Sequence, residues 1–489
     1  MFQLFHLSTD KDTSLQQQLR EQISAAILNG NIPQDAPLPS SRKLAKQLNV
    51  ARNTVVLAYE HLLDDGYLIA RERSGYYVNQ DILQGKVNVE QPVFNAEDLA
   101  LRPDWSERLK MKPSGQRNMS KARDWQKYQY PFIYGQFDPN LFPTNNWREC
   151  CRDAVSVPAI RDWASDRFDN DDPLLVEQIR TRLLPRRGVW ASADQILVTV
   201  GAQQSLYILA QLLLDENSQV GLEDPGYVDI RNIANIQPAQ CTPIPVDADG
   251  MIVDERLDDC DLVYATPSHQ CPTTVTMPIE RRYELLKKAD EHDFIIIEDD
   301  YESETNFKSN PIPALKSLDK HDRVLYVGSL SKTLAPGLRV GYMVGPAEFI
   351  REARALRRLM VRHPAANNQR SVALFLERGY HDALIMNIMR CYEARWHAMD
   401  DALNQHLPES HNQPSFGGSC YWVRGPEGLD AGELQLKAMA QDILIEPGEI
   451  HFLQDNGPKN YFRLGYSSIP TDRIEPGIRK LAELIREMT

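Results

Sequence analysis

Between about residue 80 and residue 125 the chain has no sustained apolar periodicity, only scattered Pro and Gly and a charged run from Lys110 to Arg123. A patternless stretch of about 45 residues is too long for a connection inside one domain, so it predicts a boundary. The 489 residues then divide into a small unit (1–80), a linker (81–125) and a large unit (126–489). With 42% hydrophobic and 25% charged residues, the chain can bury a large core. No apolar run approaches the ~18 residues of a membrane span, and Leu206–Leu214 is interrupted by Gln. Met1–Asp10 lacks the basic-then-apolar order of a secretory leader. The seven Cys include no C-x-x-C pair, which argues against a disulfide scaffold and a structural zinc. A cytoplasmic protein without membrane attachment or bound metal is expected.

The net charge of −14 lies entirely in the larger part: residues 1–80 carry eight Lys/Arg and eight Asp/Glu, the remainder 46 and 60. Within the balanced part, Pro37–Tyr59 holds Arg42, Lys43, Lys46 and Arg52 without an acid. Such a patch can meet phosphate, because charge beyond ~10 Å is screened. Charge alone favours a solvated helix face. Leu15, Leu19, Ile23 and Ile27 recur every four residues and predict a helix ending near Asn29-Gly30. Ser40 or Ser41 can cap a second helix to about Gln47, and a third runs from Arg52 to Asp64, stopped by Gly66. Tyr67–Ala70 and Tyr76–Val78 are strand-like around a turn-forming tip.

The string Leu38-Pro39-Ser40-Ser41-Arg42-Lys43-Leu44-Ala45, followed by Ala51-Arg52-Asn53-Thr54-Val55, Gly66-Tyr67-Leu68 and Ser74-Gly75-Tyr76-Tyr77-Val78, is more specific than its charge. It closely resembles the winged helix-turn-helix of GntR-type regulators and implies a double-stranded DNA operator as partner. A recognition helix points its first residues at base edges in the major groove, here Arg52, Asn53 and Thr54. Arg pairs with guanine and Asn with adenine, while Thr meets a thymine methyl or a phosphate. Val55, Tyr59 and Leu62 fall on the opposite, core-facing side. Arg42 suits a phosphate contact, and Arg71 and Arg73 at the wing tip suit phosphate or the minor groove.

From about residue 130 strands and helices alternate: Ile196–Val200, Leu262–Ala265, Phe294–Glu298 and Val324–Val327 are strand-like, and Gly201–Leu214 and Ile279–His292 helical. This is an α/β unit with a mainly parallel sheet, and such sheets bind ligands at the C-terminal ends of their strands. Four features fall there: Gly201-Ala202-Gln203 opening a helix, Glu223-Asp224-Pro225-Gly226-Tyr227, Asp299 with Tyr301, and Gly328-Ser329-Leu330-Ser331-Lys332-Thr333 followed by Arg339. Ser331-Lys332-Thr333 faintly matches a nucleotide-hydrolase phosphate loop, but Ser331 stands where that loop needs Gly. Pyridoxal 5'-phosphate fits better. It needs a lysine, a carboxylate for the pyridine nitrogen, a phosphate cup and an aromatic platform, and all four are present.

Residues from about 130 to 489 resemble a fold-type-I aminotransferase, most specifically through Ser329–Tyr342 and Glu298-Asp299-Asp300-Tyr301. With the winged helix, the chain resembles the MocR/GabR-type subfamily of GntR regulators. The resemblance implies Lys332 as the Schiff-base lysine, Asp299 at the pyridine nitrogen, Tyr301 at the phenolic oxygen and Tyr227 stacked on the ring. It also implies Ala202, Gln203, Ser329 and Arg339 around the phosphate, Arg463 at an α-carboxylate, and a homodimer. Relatives sensing γ-aminobutyrate carry Arg two residues after the stacking Tyr, where this chain has Asp229; a neutral or cationic effector is therefore expected. Cys271 stands where aminotransferases have Asn and cannot replace its amide donor, and Thr274 stands where Gly is usual. The function expected is a DNA-binding regulator sensing a small amino compound or the cofactor itself. The alternative is a working aminotransferase with an accessory N-terminal unit.

Overall fold

The structure, a computed structural model, describes residues 5–8, 13–33, 35–72, 74–83, 102–166, 169–307, 312–408, 410 and 417–489. In the first unit, α1 (Leu15–Leu28) buries the predicted stripe, with Leu19, Ile23 and Ile27 inside, and Ser14 Oγ caps it by accepting from Gln17 N. Ser40 is the residue that caps α2 (Ser41–Leu48), accepting from Lys43 N at 3.3 Å. Asn49 turns the chain in the left-handed region before α3 (Arg52–Asp64). α3 buries Val55, Ala58, Tyr59 and Leu62 against α1 and α2, each large side chain contributing roughly 1.5–3 kcal/mol by burial. The Tyr59 hydroxyl donates to Pro39 O at 2.9 Å, tying α3 to the turn before α2. β1 (Leu68–Arg71) and β2 (Gly75–Val78) form the antiparallel wing, registered Leu68↔Val78 to Arg71↔Gly75.

Contacts divide the chain into two compact units, Met1–Arg108 and Leu109–Thr489. Part of the stretch expected as linker, from Leu109 onward, thus packs with the second unit. Arg117 shows how: its guanidinium donates to the carbonyls of Glu449, Phe452 and Gln454 and to Asp455.

The second unit is built on eight strands: β3 (Ile196–Thr199), β4 (Gln219–Asp224), β5 (Gln240–Asp247), β6 (Gly250–Met251), β7 (Leu262–Ala265), β8 (Ile295–Asp300), β9 (Val324–Ser329) and β10 (Gly341–Val344). Their order is β3-β10-β9-β8-β7-β4-β5-β6, and all neighbours from β9 to β5 run parallel. β10 runs antiparallel to both β9 and β3, and β6 is antiparallel to β5. The strands expected from sequence are all present, and every residue of β3, β7 and β9 is buried, as a sheet covered on both faces requires. β10 passes so close to the turn after β3 that a Cβ on Gly341 would lie 2.8 Å from Ala202 N. A smaller sheet places β11 (Cys420–Arg424) beside β13 (Tyr461–Gly465), which pairs in turn with β12 (Glu446–Pro447). Among the described residues no helix is long and apolar enough to cross a membrane.

Candidate functional site

The C-terminal ends of β3, β4, β7, β8 and β9 deliver their side chains to one edge of the sheet. A cavity of about 560 Å³ opens there, lined by Ala202, Gln203, Tyr227, Asp229, Asp299, Tyr301, Ser329, Lys332, Arg339 and Arg463. All ten expected cofactor and effector residues are therefore brought together. β3 runs into Gly201, whose φ of +82° turns the chain into α4 (Ala202–Leu213), so the start of a helix meets the cavity. Arg339 donates to Val200 O at 3.0 Å, which sets its guanidinium beside that helix start. A backbone turn, the positive end of a helix and a guanidinium form an anion cup.

Lys332 follows β9. Its ammonium lies 4.1 Å from the centre of the Tyr134 ring, and burial pushes its pKa down to about 8, with Lys121 and Arg463 adding to the fall and Glu302 opposing it. Asp299 is the penultimate residue of β8 and is 5% exposed. Its Oδ2 accepts from the Tyr264 hydroxyl at 2.8 Å, its Oδ1 has no hydrogen-bond partner, and burial pushes it up to about 7. Tyr227 ends the turn after β4 as the N-cap of α5 (Val228–Ile236), and its hydroxyl donates to Gln203 Oε1 and Asp229 Oδ2, both at 3.0 Å. Asp229 is thus a half-buried member of the cavity wall. Tyr301 meets the His269 ring edge-on at 6.0 Å.

Arg463 is 1% exposed, and its side edge is already taken: Glu446, its cross-strand neighbour, accepts from Nε at 2.9 Å and pairs with Nη2 at 2.8 Å. Away from Glu446, Nη1 points to Cys271 Sγ at 4.0 Å and Nη2 also reaches Met119 Sδ at 3.6 Å, while the guanidinium lies over the Tyr134 ring. Burial raises the Cys271 thiol to about 11, which makes it a packed neutral group instead of a nucleophile. Thr274 adopts φ +66°, the left-handed conformation that a Gly would take without strain.

In the first unit Arg42, Arg52, Asn53 and Arg71 are exposed and Thr54 is half-buried, while Arg73 lies outside the described residues. Arg52 Nε donates to Ser41 Oγ at 3.4 Å, and the Arg71 guanidinium stacks over the Tyr77 ring at 4.3 Å. The first residues of α3 and Arg71 in the wing thus stay on the surface, while Val55, Tyr59 and Leu62 are buried.

Residues 15–78 match the bacterial regulatory proteins of the gntR family, and residues 171–481 match the class I and II aminotransferases. The HTH-type transcriptional regulator TauR of Rhodobacter capsulatus is 40% identical over 99% of both chains. The probable rhizopine catabolism regulatory protein MocR of Rhizobium meliloti is 30% identical over 97% of this chain and 94% of its own. The chain belongs to the MocR-type regulators of the GntR family. A MocR-type chain joins a DNA-binding winged helix to an aminotransferase-like body, which makes it a transcriptional regulator and not a plain aminotransferase. The body is similar to Pyrococcus horikoshii kynurenine aminotransferase, solved with PMP, at 30% identity and a TM-score of 0.68 over 81% of this chain and 97% of that one.

Several wall residues of this MocR-type cavity escape a reading of the sequence. Asn118, Met119 and Lys121 come from the stretch expected as linker, and Tyr134 and Tyr264 from elements without a motif; Glu446, which holds Arg463 from behind the wall, has no motif either. An apolar strand buried on both faces gives no alternation to mark Tyr264 as the position reaching Asp299.

Proposed function

We propose that the first unit binds an operator while the second holds pyridoxal 5'-phosphate in the cavity and senses a small amino compound there. One observation carries the reading: Asp299 Oδ1 is buried without a partner in the cavity that also contains Lys332. A carboxylate in that state calls for a cationic N–H, which a protonated pyridine ring offers. The anion cup at Gly201, Ala202 and Arg339 suits a phosphate, so the donor set fits the group as a whole. When bound, the cofactor supplies an aldehyde reactive toward amines and an electron-withdrawing ring.

The chain's own residues prepare the rest. With its pKa near 8, Lys332 holds an appreciable neutral fraction at physiological pH, the form able to attack an aldehyde. Ala202, Gln203, Ser329 and Arg339 take the phosphate, Tyr227 covers the ring face, and Tyr301 donates toward the phenolic oxygen. Arg463 presents the outer end of its fork to an acidic group, and Asp229 faces the other end of the effector. Arg52, Asn53 and Thr54 read bases, with Arg42, Arg71 and Arg73 on the backbone or minor groove. A homodimer presents two such heads to one operator. Cys271, lacking an amide, favours sensing over efficient turnover.

The test is full-length protein loaded with the cofactor, followed by visible absorbance and by anisotropy of its own upstream DNA while amino compounds are added. An amine that changes both the absorbance and the DNA affinity is the expected result. Protein that binds no cofactor, or DNA binding indifferent to every amine that alters the absorbance, refutes the reading.

A further inference from the structure

Lys121 lies on the stretch by which the chain enters the second unit, and its side chain lines the cavity. Its ammonium donates to the Tyr134 carbonyl at 2.6 Å and pairs with Glu446 Oε1 at 3.3 Å. Glu446 Oε2 meanwhile holds the side edge of Arg463. One carboxylate is therefore shared by two cations, and both cations face the cavity. Around the Tyr134 ring the crowding is greater still, with Lys332 Nζ at 4.1 Å, the Arg463 guanidinium carbon at 4.0 Å and Lys121 Nζ at 5.6 Å. Three positive groups gathered in a partly buried site repel one another unless an anion joins them. Glu302 acts on Lys332, so Lys121 and Arg463 are left to share the single charge of Glu446, and the edge of Arg463 away from Glu446 meets the sulfurs of Cys271 and Met119.

We propose that Lys121 is a ligand-contact residue which, with the outer end of Arg463, binds the acidic group of the effector, so that the entry segment of the second unit, 109–121, forms part of the effector site. The proposal rests on the reading of the cavity as the cofactor and effector site. It narrows the ligand to an amino compound carrying an acidic group at this end, with Asp229 facing the rest.

The segment is tied to the other side of the cavity as well. Arg231 Nη2 and Asn232 Nδ2, on the same helix α5 as Asp229, donate to the Arg117 carbonyl at 2.9 and 3.1 Å. Asn232 also donates to Asn118 Oδ1 at 3.0 Å. An acid that draws Lys121 from Glu446 acts on the chain four residues beyond that anchor, and a ligand without the acid does not. This difference in contacts is what a ligand needs in order to shift a conformational equilibrium.

The experiment uses cofactor-free full-length protein and two reduced conjugates, N-(5'-phosphopyridoxyl)-L-alanine and N-(5'-phosphopyridoxyl)ethylamine, which differ only by a carboxylate. By calorimetry the alanine conjugate binds the wild type more tightly. Lys121→Ala lowers that preference about tenfold, the size of one charge-assisted hydrogen bond, and Lys121→Arg retains most of it. Amide exchange over residues 117–121 slows with the alanine conjugate and far less with the ethylamine one. The proposal falls if Lys121→Ala leaves the preference intact while Arg463→Lys removes it. It falls equally if Lys121→Ala weakens both conjugates alike, the mark of a structural role. Should neither conjugate bind the wild type, the cofactor reading itself is what fails.

Discussion

The Tyr264 hydroxyl donates to one oxygen of Asp299 and leaves the other buried without a partner. In the cofactor-free protein this carboxyl is raised to about 7, because burial outweighs the Tyr264 bond. The unfolded chain, with an ordinary Asp, has lost that proton by about pH 5, whereas the folded chain retains it. Its contribution to stability is complete at low pH and disappears as pH rises through 7. The melting temperature of cofactor-free protein should therefore fall between about pH 5 and 8, and fall less steeply in Asp299→Asn. Glu223, also raised to about 7 by burial, keeps part of the slope. Calorimetry across that range checks it; identical slopes in the two proteins contradict the assignment.

Lys332→Ala should abolish covalent attachment of the cofactor and leave noncovalent binding through the phosphate cup and Asp299. Mass spectrometry after borohydride reduction reads the difference. In the wild type the attachment rate should rise with pH and level off above about 8, as the amine becomes neutral. A pH-independent rate, or a reduced adduct on the Ala variant, would count against this lysine.

Arg52 and Arg42 should affect DNA binding in different ways. Arg52→Ala costs about 1–3 kcal/mol and relaxes preference at one operator position, if its guanidinium reads a base. Arg42→Ala weakens all sequences alike and reduces the salt slope by about one. Competition binding at two or three salt concentrations separates the two, and indistinguishable behaviour would refute the docking.

Asp229 should make γ-aminobutyrate a poor ligand, because its carboxylate, fixed by the Tyr227 hydroxyl, stands at the cavity wall. Thermal shift of the cofactor-loaded protein should respond more to amino acids whose other end is neutral or cationic. Asp229→Arg should improve γ-aminobutyrate binding severalfold. Tight binding of γ-aminobutyrate by the wild type, unchanged in Asp229→Ala, would overturn the charge argument.

Much of this architecture is written in periodicities and strand ends. The four-residue spacing of Leu15, Leu19, Ile23 and Ile27 and the Ser40 cap are local signals, and α1 and α2 follow them. Lys332 and Asp299 are legible because parallel strands leave their reactive residues at one end. Lys121 and Met119 are not, because their stretch is held by side chains on carbonyls, as with Arg117, and such bonds have no period. Glu446 lies on a two-residue strand too short for alternation, so its pairing with Arg463 appears only in the folded sheet.

Among the described residues the strand Ile196–Thr199 finds its sheet partner only in Gly341–Val344, far later in the chain. During synthesis at about 5–20 residues per second, the cup built on Gly201 stays open until Gly341 leaves the ribosome. The winged helix closes its hairpin at Val78 and needs little beyond it, Asn79 bonding back to Gly66 and Ile82 packing against its core. A nascent chain therefore completes its winged helix before its cavity, and a C-terminal deletion that removes Gly341–Val344 takes away the strand beside the cup without touching the core of the first unit.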